Sequence, residues 1–211
     1  TGIEAILRVA PGLVVVDEAY HAFAGASFLP RLAEFPNLVV LRTVSKIGMA
    51  GLRLGYAVAA PEWTTELNKV RQPYNLNALT QAVAPLLLAE DDLLAQQAAR
   101  IRSERSRLYA ALCNLPDVVA FPTQTNFVLA RVPDAPRWFE HLRQQGILVK
   151  NLHGWHPSLE HCLRITVGTP AENDALLAAL QSLRSALRCR HHAAPRSSAA
   201  PTNPRPRSKS P

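Results

Sequence analysis

The chain has 211 residues, of which 48% are hydrophobic, and a formal net charge of +7. This length and apolar content suffice for one large domain or two small ones. The charge does not indicate a nucleic-acid-binding protein, because five basic residues and no acidic ones lie in residues 189–211, which leaves the rest nearly balanced. The three cysteines lack metal-ligand spacing and favour a reducing compartment, by default the cytoplasm, and no apolar run is long enough to span a membrane.

The first ninety residues alternate short apolar strands with helices and loops, which is typical of an α/β domain. Residues 1–8 have the composition of a helix interior, so we expect an amino-terminal truncation. A crossover with a helical piece near Leu32–Glu34 follows the first strand, and a helix begins at Pro61, since proline and glutamate suit a first turn. The predicted strands are Leu13–Val16, Asn37–Thr43 and Gly55–Pro61.

From residue 78 onward helices come first and short strands follow. Helical sequence resumes near Ala78, and apolar residues from Leu94 to Leu112 recur at helical spacing. The later predicted elements are strands Val118–Phe121, Asn126–Val132, Gly146–Val149 and Cys162–Val167, and helices Pro136–Gln145 and Pro170–Leu187, the last one capped by Thr169. We therefore predict the remainder of a large domain and the start of an interdomain helix in residues 1–90, a small α+β domain in 91–188, and a disordered basic tail in 189–211.

Lys46 is the most informative residue of the sequence. It lies just beyond the strand Asn37–Thr43, while Asp17 comes directly after the first strand. A lone lysine there is usually solvated, and an acidic residue is often only the start of a loop. Two neighbouring strands that each deliver a polar group to the edge where open α/β sheets bind ligands favour a functional site, and no other lysine of the four has such a position.

The residue types around Lys46 suit a pyridoxal phosphate enzyme. A lysine can form a Schiff base with the aldehyde of that cofactor, while the hydroxyl of Ser45 and the guanidinium of Arg53 hold its phosphate. Asp17 can keep the pyridine nitrogen protonated, which makes the ring an electron sink, and Tyr20 can reach the phenolic oxygen of the ring. The sequence therefore predicts a pyridoxal phosphate site at the carboxyl edge of the sheet.

Four segments, residues 16–20, 42–56, 125–128 and 163–170, resemble the histidinol-phosphate aminotransferases of fold-type I, within the class I/II pyridoxal-phosphate-dependent aminotransferases. The resemblance implies the carboxyl-terminal part of a three-layer α/β/α large domain followed by the small domain, and a homodimer. It also implies transamination between L-histidinol phosphate and 2-oxoglutarate in histidine biosynthesis. In that family a phosphate-binding loop and a ring-stacking aromatic residue precede the Asp17 strand and lie outside this chain, so we expect little activity from the chain alone.

The same resemblance assigns a role to each residue of the site. Lys46 is implied to be the Schiff-base lysine and general acid/base, and Arg164 to grip the substrate carboxylate in the bidentate geometry that suits guanidinium. The sequence by itself leaves open an edge strand with Arg164 facing water. Lys150 stands where many members have arginine, which keeps the charge but loses the planar fork. The implied cofactor contacts are Asp17, Tyr20, Thr43, Ser45, Lys46 and Arg53, and the implied substrate contacts are Arg164, Asn126 and Lys150.

Other kinds of function remain open from the sequence. The same scaffold supports other amino-acid transaminases and threonine-phosphate decarboxylases, because substrate choice depends on the shape of the pocket. A function of a different class would be a non-catalytic remnant, or an interaction module with a basic tail. We predict no metal site, because His153 and His156 have no metal-ligand context and suit a surface loop.

Overall fold

A computed structural model describes residues 1–192 of the chain, with side chains described through residue 185. The strands form two separate sheets, one of three strands and one of four, and helices flank both. This arrangement confirms the predicted α/β class. None of the helices in residues 1–192 is long and apolar enough to cross a membrane.

The first sheet is made of three short strands, in the order β1 (Val14–Asp17), β2 (Leu38–Thr43) and β3 (Gly55–Ala59). β1 runs parallel to β2, whereas β3 is antiparallel to it. Because Asp17 lies opposite Leu41 and Thr43 lies opposite Gly55, the carboxyl ends of β1 and β2 share one edge of the sheet with the start of β3. All three strands lie within two residues of their predicted positions.

Helix α1 (Gly2–Val9) covers part of this sheet through Leu7, which is buried with Phe35, Leu38 and Val40. The helical character predicted for residues 1–8 is confirmed by α1. In its first turn the Thr1 hydroxyl accepts a hydrogen bond from the Glu4 amide, and the Glu4 carboxylate binds the Thr1 nitrogen.

The crossover between β1 and β2 is helical in a different place from the one predicted. Its helical turns are α2 (His21–Ala24) and the 3-10 turn Leu29–Arg31, and Leu32–Glu34 is an irregular turn. The reason is local, since the Glu18 carboxylate fixes the Phe28 amide and the next residues begin a turn that has proline near its start.

Three helices connect the two sheets: α3 (Pro61–Val70), α4 (Ala78–Leu88) and α5 (Asp91–Cys113). The first begins at Pro61 and the second at Ala78, as predicted. α5 contacts α2 and also the later strands β4 (Val119–Ala120) and β5 (Phe127–Arg131), so it belongs to both halves of the structure. The division between residues 90 and 91 therefore stays a prediction.

The second sheet is antiparallel throughout, in the order β4 (Val119–Ala120), β5 (Phe127–Arg131), β7 (Cys162–Thr166) and β6 (Lys150–Asn151). Helices α5, α6 (Ala135–Gln144) and α7 (Pro170–His192) pack on it. The core between them is the larger of two in the described residues and contains Trp138, Leu142, Leu163 and Leu180, each at most 1% exposed.

Two predictions in this half need correction and one is confirmed. Gly146–Val149 is not a strand, because the amides of Gly146 and Ile147 still bind carbonyl groups at the end of α6, and pairing begins only at Lys150. α7 continues to His192, so the start of the predicted tail 189–211 is helical, while residues 193–211 lie outside the described residues. The Thr169 cap is confirmed, since its hydroxyl accepts from the Glu172 amide at 3.4 Å.

Candidate active site

The residue at the end of β1 turns the chain towards the next loop. Asp17 is exposed, and its Oδ1 accepts a hydrogen bond from the Ala19 amide at 2.9 Å. Tyr20 follows at the start of α2. The Asp17 carboxylate and the Tyr20 ring are therefore both presented at the carboxyl edge of the first sheet.

A buried ion pair supports this edge. The Glu18 carboxylate lies 2.9 Å from an Arg42 nitrogen, and it accepts hydrogen bonds from the Ser27 hydroxyl at 2.9 Å and the Phe28 amide at 2.6 Å. Burial alone would raise the pKa of Glu18, but the Phe28 amide, the Ser27 hydroxyl and Arg42 outweigh it and hold that pKa below its usual range. Glu18 is thus a charged anchor that fixes the loop after Asp17 against β2.

The hydroxyl of Thr43 fixes the start of the loop after β2. It lies 2.9 Å from the carbonyl oxygen of Leu54 and 3.0 Å from the Ser45 hydroxyl, and it accepts a hydrogen bond from the Ser45 amide at 3.1 Å. Two hydroxyl groups therefore sit together at the end of the strand, and their contact with a cofactor phosphate stays a prediction.

Lys46 lies in the segment Ser45–Met49, which is only partly helical because Gly48 has a φ of 96°, in the left-handed region that favours glycine. The Lys46 side chain is exposed, and its ammonium lies 5.6 Å from the centre of the Tyr20 ring. Arg53 is also exposed and has a φ of 52°, an unusual backbone conformation for arginine. Within the described residues, neither Lys46 nor Arg53 forms a salt bridge.

Phe127 connects this edge with the second sheet. Its ring meets the Tyr20 ring edge to face, with centroids 5.9 Å apart and planes at 79°. The Arg164 guanidinium lies 5.2 Å from the centre of the same Phe127 ring. Lys46, Tyr20, Phe127 and Arg164 therefore form a continuous row, which we call the cation–aromatic row, although they come from opposite halves of the chain.

Arg164 and Lys150 stand next to each other at the second sheet. They occupy opposite positions on β7 and β6, and both side chains are exposed. Like charges in such a cross-strand pair repel, and no carboxylate of residues 1–185 forms a salt bridge with either one. The Lys150 ammonium lies 4.6 Å from the centre of the Trp155 ring. The two cations favour an anionic ligand at this position.

Asn126 lies beside the cation–aromatic row, directly before β5. Its side chain is half-buried, and its carbonyl oxygen accepts a hydrogen bond from the Val167 amide at 2.9 Å. This bond extends the pairing of β5 with the strand that contains Arg164. Asn126 is thus the neighbour of Phe127 in the chain, and it extends the strand pair that contains Arg164, the arginine predicted to bind the carboxylate.

Two arginines of α5, which the sequence analysis missed, hold the halves of the site together. Arg105 donates to the Phe23 carbonyl at 3.1 Å and to the Thr125 carbonyl at 3.0 Å, and Arg102 donates to the Ala22 carbonyl at 2.7 Å. Burial, and then the charge of Arg102, lower the pKa of Arg105. The sequence carried only a weak signal for them, because arginines on a helix usually face water.

Comparison with known proteins decides the family. Residues 2–180 match the family described as aminotransferase class I and II. The chain belongs to this family. It is 58% identical over 179 residues to the histidinol-phosphate aminotransferase of Chromobacterium violaceum, a match that covers 85% of this chain and 50% of that protein. The chain thus spans about half the length of the curated relatives it matches.

Solved structures agree with this membership. The histidinol-phosphate aminotransferase from Sinorhizobium meliloti in complex with pyridoxal-5'-phosphate matches with a TM-score of 0.72 at 28% identity, over 88% of this chain and 53% of that one. The L-threonine-O-3-phosphate decarboxylase from Porphyromonas gingivalis matches with the same TM-score at 24% identity, over 81% of this chain and 55% of that one. The second similarity shows a shared fold and nothing about the reaction.

The residues at the carboxyl edge fit pyridoxal 5'-phosphate, the cofactor of this family. Lys46 offers an exposed amino group, and Arg53 offers a guanidinium that no carboxylate of residues 1–185 neutralises. Thr43 and Ser45 add hydroxyl groups, and Asp17 adds an exposed carboxylate. Lys46 complements an aldehyde, Arg53 and the two hydroxyl groups complement a phosphate, and Asp17 complements a pyridinium. Their individual roles remain predictions.

Proposed function

We propose that a protein carrying this chain transfers an amino group from L-histidinol phosphate to 2-oxoglutarate, giving imidazole-acetol phosphate and L-glutamate, in histidine biosynthesis. The observation that carries this proposal is the 58% identity to a histidinol-phosphate aminotransferase over 85% of the chain. The cation–aromatic row supports it, because a transaminase needs an amino group for proton transfer near a cation for the substrate carboxylate.

The first sheet would hold the cofactor. When bound, pyridoxal phosphate supplies an electron sink that makes the proton on the substrate Cα removable. The Asp17 carboxylate would keep a proton on the ring nitrogen, and the Tyr20 hydroxyl would donate to the ring oxygen. The phosphate would lie against Thr43, Ser45 and Arg53, where charge-assisted hydrogen bonds are stronger than neutral ones. The support is that these side chains share one edge of the sheet.

Lys46 would be both the attachment point of the cofactor and the group that moves the proton. Its amino group, once neutral, would take the proton from the substrate Cα in the first half-reaction and would return a proton to the Cα of the new amino acid in the second. An amino group paired with a carboxylate would be held away from this task. Lys69 illustrates the contrast, because its ammonium lies 2.5 Å from a carboxylate oxygen of Glu66 on the surface of α3.

The second sheet would bind the substrate. Arg164 would bind the α-carboxylate of glutamate through two parallel N–H···O bonds. The Phe127 ring next to the guanidinium would hold it in a fixed plane. Lys150, directly across the strand pair, would add a second positive charge, and Asn126 would contribute its side-chain amide. Glutamate and histidinol phosphate are both anionic, which suits these neighbouring cations.

We propose a cytoplasmic homodimer that acts on small amino and keto acids and binds no nucleic acid. The first sheet and its helices support an association surface, because Val15, Tyr56 and Leu79 are 54%, 44% and 78% exposed.

The proposed domain division is residues 1–90 and 91–188. No observation favours the decarboxylase alternative, since decarboxylases match this chain at 24% and 25% identity, against 58% for a histidinol-phosphate aminotransferase.

A coupled assay tests the proposal. The chain is measured as it stands and joined to the part of the Chromobacterium violaceum relative that it does not match, with glutamate formation from L-histidinol phosphate and 2-oxoglutarate as the readout. We expect turnover on the order of 1 s⁻¹ or more from the joined protein. Lys46→Ala should abolish this turnover, and the control Lys69→Ala should leave it unchanged. Turnover that survives Lys46→Ala, or decarboxylation of threonine phosphate without glutamate formation, would contradict the proposal.

A further inference from the structure

The loop between β6 and β7, residues 152–161, gathers three side chains that the proposed transamination does not use. His153 stands near its start, and Glu160 and His161 at its end. One donor atom from each of the three lies within 4.8 Å of the other two. The Nδ1 atom of His153 is 2.9 Å from an oxygen of Glu160, and the two imidazole rings stack with centroids 4.7 Å apart and planes at 26°. His153 has no metal-ligand context in the sequence, but the fold brings Glu160 and His161 next to it.

The hydrogen bonds within this cluster do not balance. His153 Nδ1 accepts a hydrogen bond from the His161 amide at 3.2 Å, yet the Glu160 carboxylate also approaches the same atom. A ring nitrogen that accepts from an amide has no proton to donate to a carboxylate, so two electron-rich atoms face each other. In addition, His161 Nδ1 is buried and has no hydrogen-bond partner within the described part of the chain. An unpartnered buried nitrogen is costly, and a cation among these donor atoms would attract the Glu160 carboxylate and offer the His161 ring a partner.

We propose that His153, Glu160 and His161 bind a divalent transition-metal cation of the Zn²⁺ class. Two imidazole nitrogens and one carboxylate oxygen form a donor set that Zn²⁺ accepts in proteins, with a position left for water. The donor atoms lie within 4.8 Å of one another, so a shift of about an ångström would bring them to the metal–ligand distances of roughly 2.0–2.2 Å. Imidazole ligands favour Zn²⁺, Ni²⁺ or Cu²⁺ over Mg²⁺ and Ca²⁺, which prefer sets composed of oxygen atoms.

The metal would tie the two ends of the loop together. Trp155 lies between the ligands in sequence, and its ring centre is 4.6 Å from the Lys150 ammonium. Lys150 in turn stands opposite Arg164 on the neighbouring strand. A cation bound at His153, Glu160 and His161 therefore restricts the segment that carries Trp155 and steadies the position of Lys150. The effect on Lys150 rests on the proposed substrate site, but metal binding itself does not depend on the proposed reaction.

Direct metal titration of the full 211-residue chain tests the proposal. The chain also contains Cys189, His191 and His192, which are potential donors, so all variants are made in a background where these three are alanine. ZnCl₂ is titrated calorimetrically into chelator-treated protein, and Co²⁺ absorption reports the coordination. We expect one equivalent to bind, with MgCl₂ giving no heat above dilution.

Three variants assign the site. Glu160→Gln and His161→Ala should each weaken Zn²⁺ binding by at least about tenfold. The matched control is His156→Ala in the same loop, since His156 Nδ1 binds the Ser158 hydroxyl and takes no part in the cluster, and its affinity should match the background protein. Hydrogen exchange in residues 152–161 should slow on adding Zn²⁺ in the background protein and not in Glu160→Gln. Absence of binding, or binding that Glu160→Gln leaves intact, overturns the proposal and leaves a polar contact of His153 with Glu160 beside two stacked imidazole rings.

Discussion

Replacement of Glu18 by glutamine should destabilise the first sheet strongly. The carboxylate accepts hydrogen bonds from the Phe28 amide, the Ser27 hydroxyl and two nitrogens of Arg42, at distances of 2.6 to 3.1 Å. The side chains of Glu18 and Arg42 are 7% and 14% exposed, so water cannot readily replace a lost partner. The substitution preserves the shape of the side chain and removes its charge.

The expected loss of unfolding free energy for Glu18→Gln is about 3–5 kcal/mol, because Arg42 is left with an uncompensated charge in a buried position. This is a large part of the roughly 5–15 kcal/mol that stabilises a typical domain. Glu66→Gln is the matched control. Glu66 pairs with Lys69, but their side chains are 61% and 62% exposed, so the pair is screened by water and we expect no measurable change.

The loss of stability caused by Glu18→Gln should depend on pH in a defined direction. The pKa of Glu18 is lowered in the folded state, so its contribution is fully present above the pKa of the unfolded chain. It is lost as the pH falls through the lower folded-state pKa, because the carboxylate then becomes protonated in both states. The difference between the original chain and Glu18→Gln should therefore be largest near neutral pH and shrink below the usual glutamate range.

Hydrogen exchange measured by mass spectrometry is the assay, because it reports the opening free energy of residues 14–43 separately from that of the second sheet. Glu18→Gln should accelerate exchange in β1 and β2, and Glu66→Gln should not. Equal exchange in the two variants would refute the assignment of Glu18 as the anchor of this edge. A difference that persists unchanged into acid would refute the role of its charge.

Three further predictions concern arginines with different partners. Arg53→Ala should weaken pyridoxal phosphate binding by about 10–100-fold, which corresponds to the loss of one charge-assisted contact. The control Arg71→Ala should leave binding unchanged, because the Arg71 guanidinium binds two asparagines. Spectroscopic titration with the cofactor distinguishes the two variants. Arg164→Ala should raise the KM for glutamate in the joined protein and leave cofactor affinity intact, and steady-state kinetics showing the reverse would exclude its role at the substrate. Arg105→Ala should lower the free energy of unfolding by about 1–3 kcal/mol and accelerate hydrogen exchange in both halves of the structure, because the carbonyl groups that Arg105 binds lie in both. Acceleration in one half alone would contradict the role of Arg105 in connecting them.

Most strands and the positions of Asp17 and Lys46 could be predicted because they depend on short-range patterns. An apolar run bounded by turn residues is sufficient to place β2, and the residue that follows it must lie at the edge of the sheet. Gly146–Val149 shows the limit of such reasoning. The run is as apolar as a strand, but the end of α6 engages its first amides, and the pairing partner β7 is available only from Lys150 onward.

Contacts between distant parts of the chain could not be predicted in the same way. The edge-to-face contact of Tyr20 with Phe127 depends on how α5 sets the two sheets against each other, and no local spacing records that. The buried partner of Arg42 is another example, since Glu18 lies 24 residues away in the sequence and no local spacing pairs the two. The resemblance predicts Arg164 at the site, whereas the sequence alone favours an arginine that faces water, and the Arg164 side chain is exposed beside the Phe127 ring.

The central claim is that Lys46 is the attachment point of pyridoxal phosphate. The measurement is borohydride reduction of the joined protein loaded with the cofactor, followed by mass spectrometry of its peptides. The chain portion contains three other lysines, Lys69, Lys150 and Lys209, which serve as internal controls. We predict that the phosphopyridoxyl group is found on Lys46 and that Lys46→Ala leaves the chain portion unlabelled. Labelling of Lys69 or Lys150 to the same extent in the original and the Lys46→Ala proteins would contradict the account.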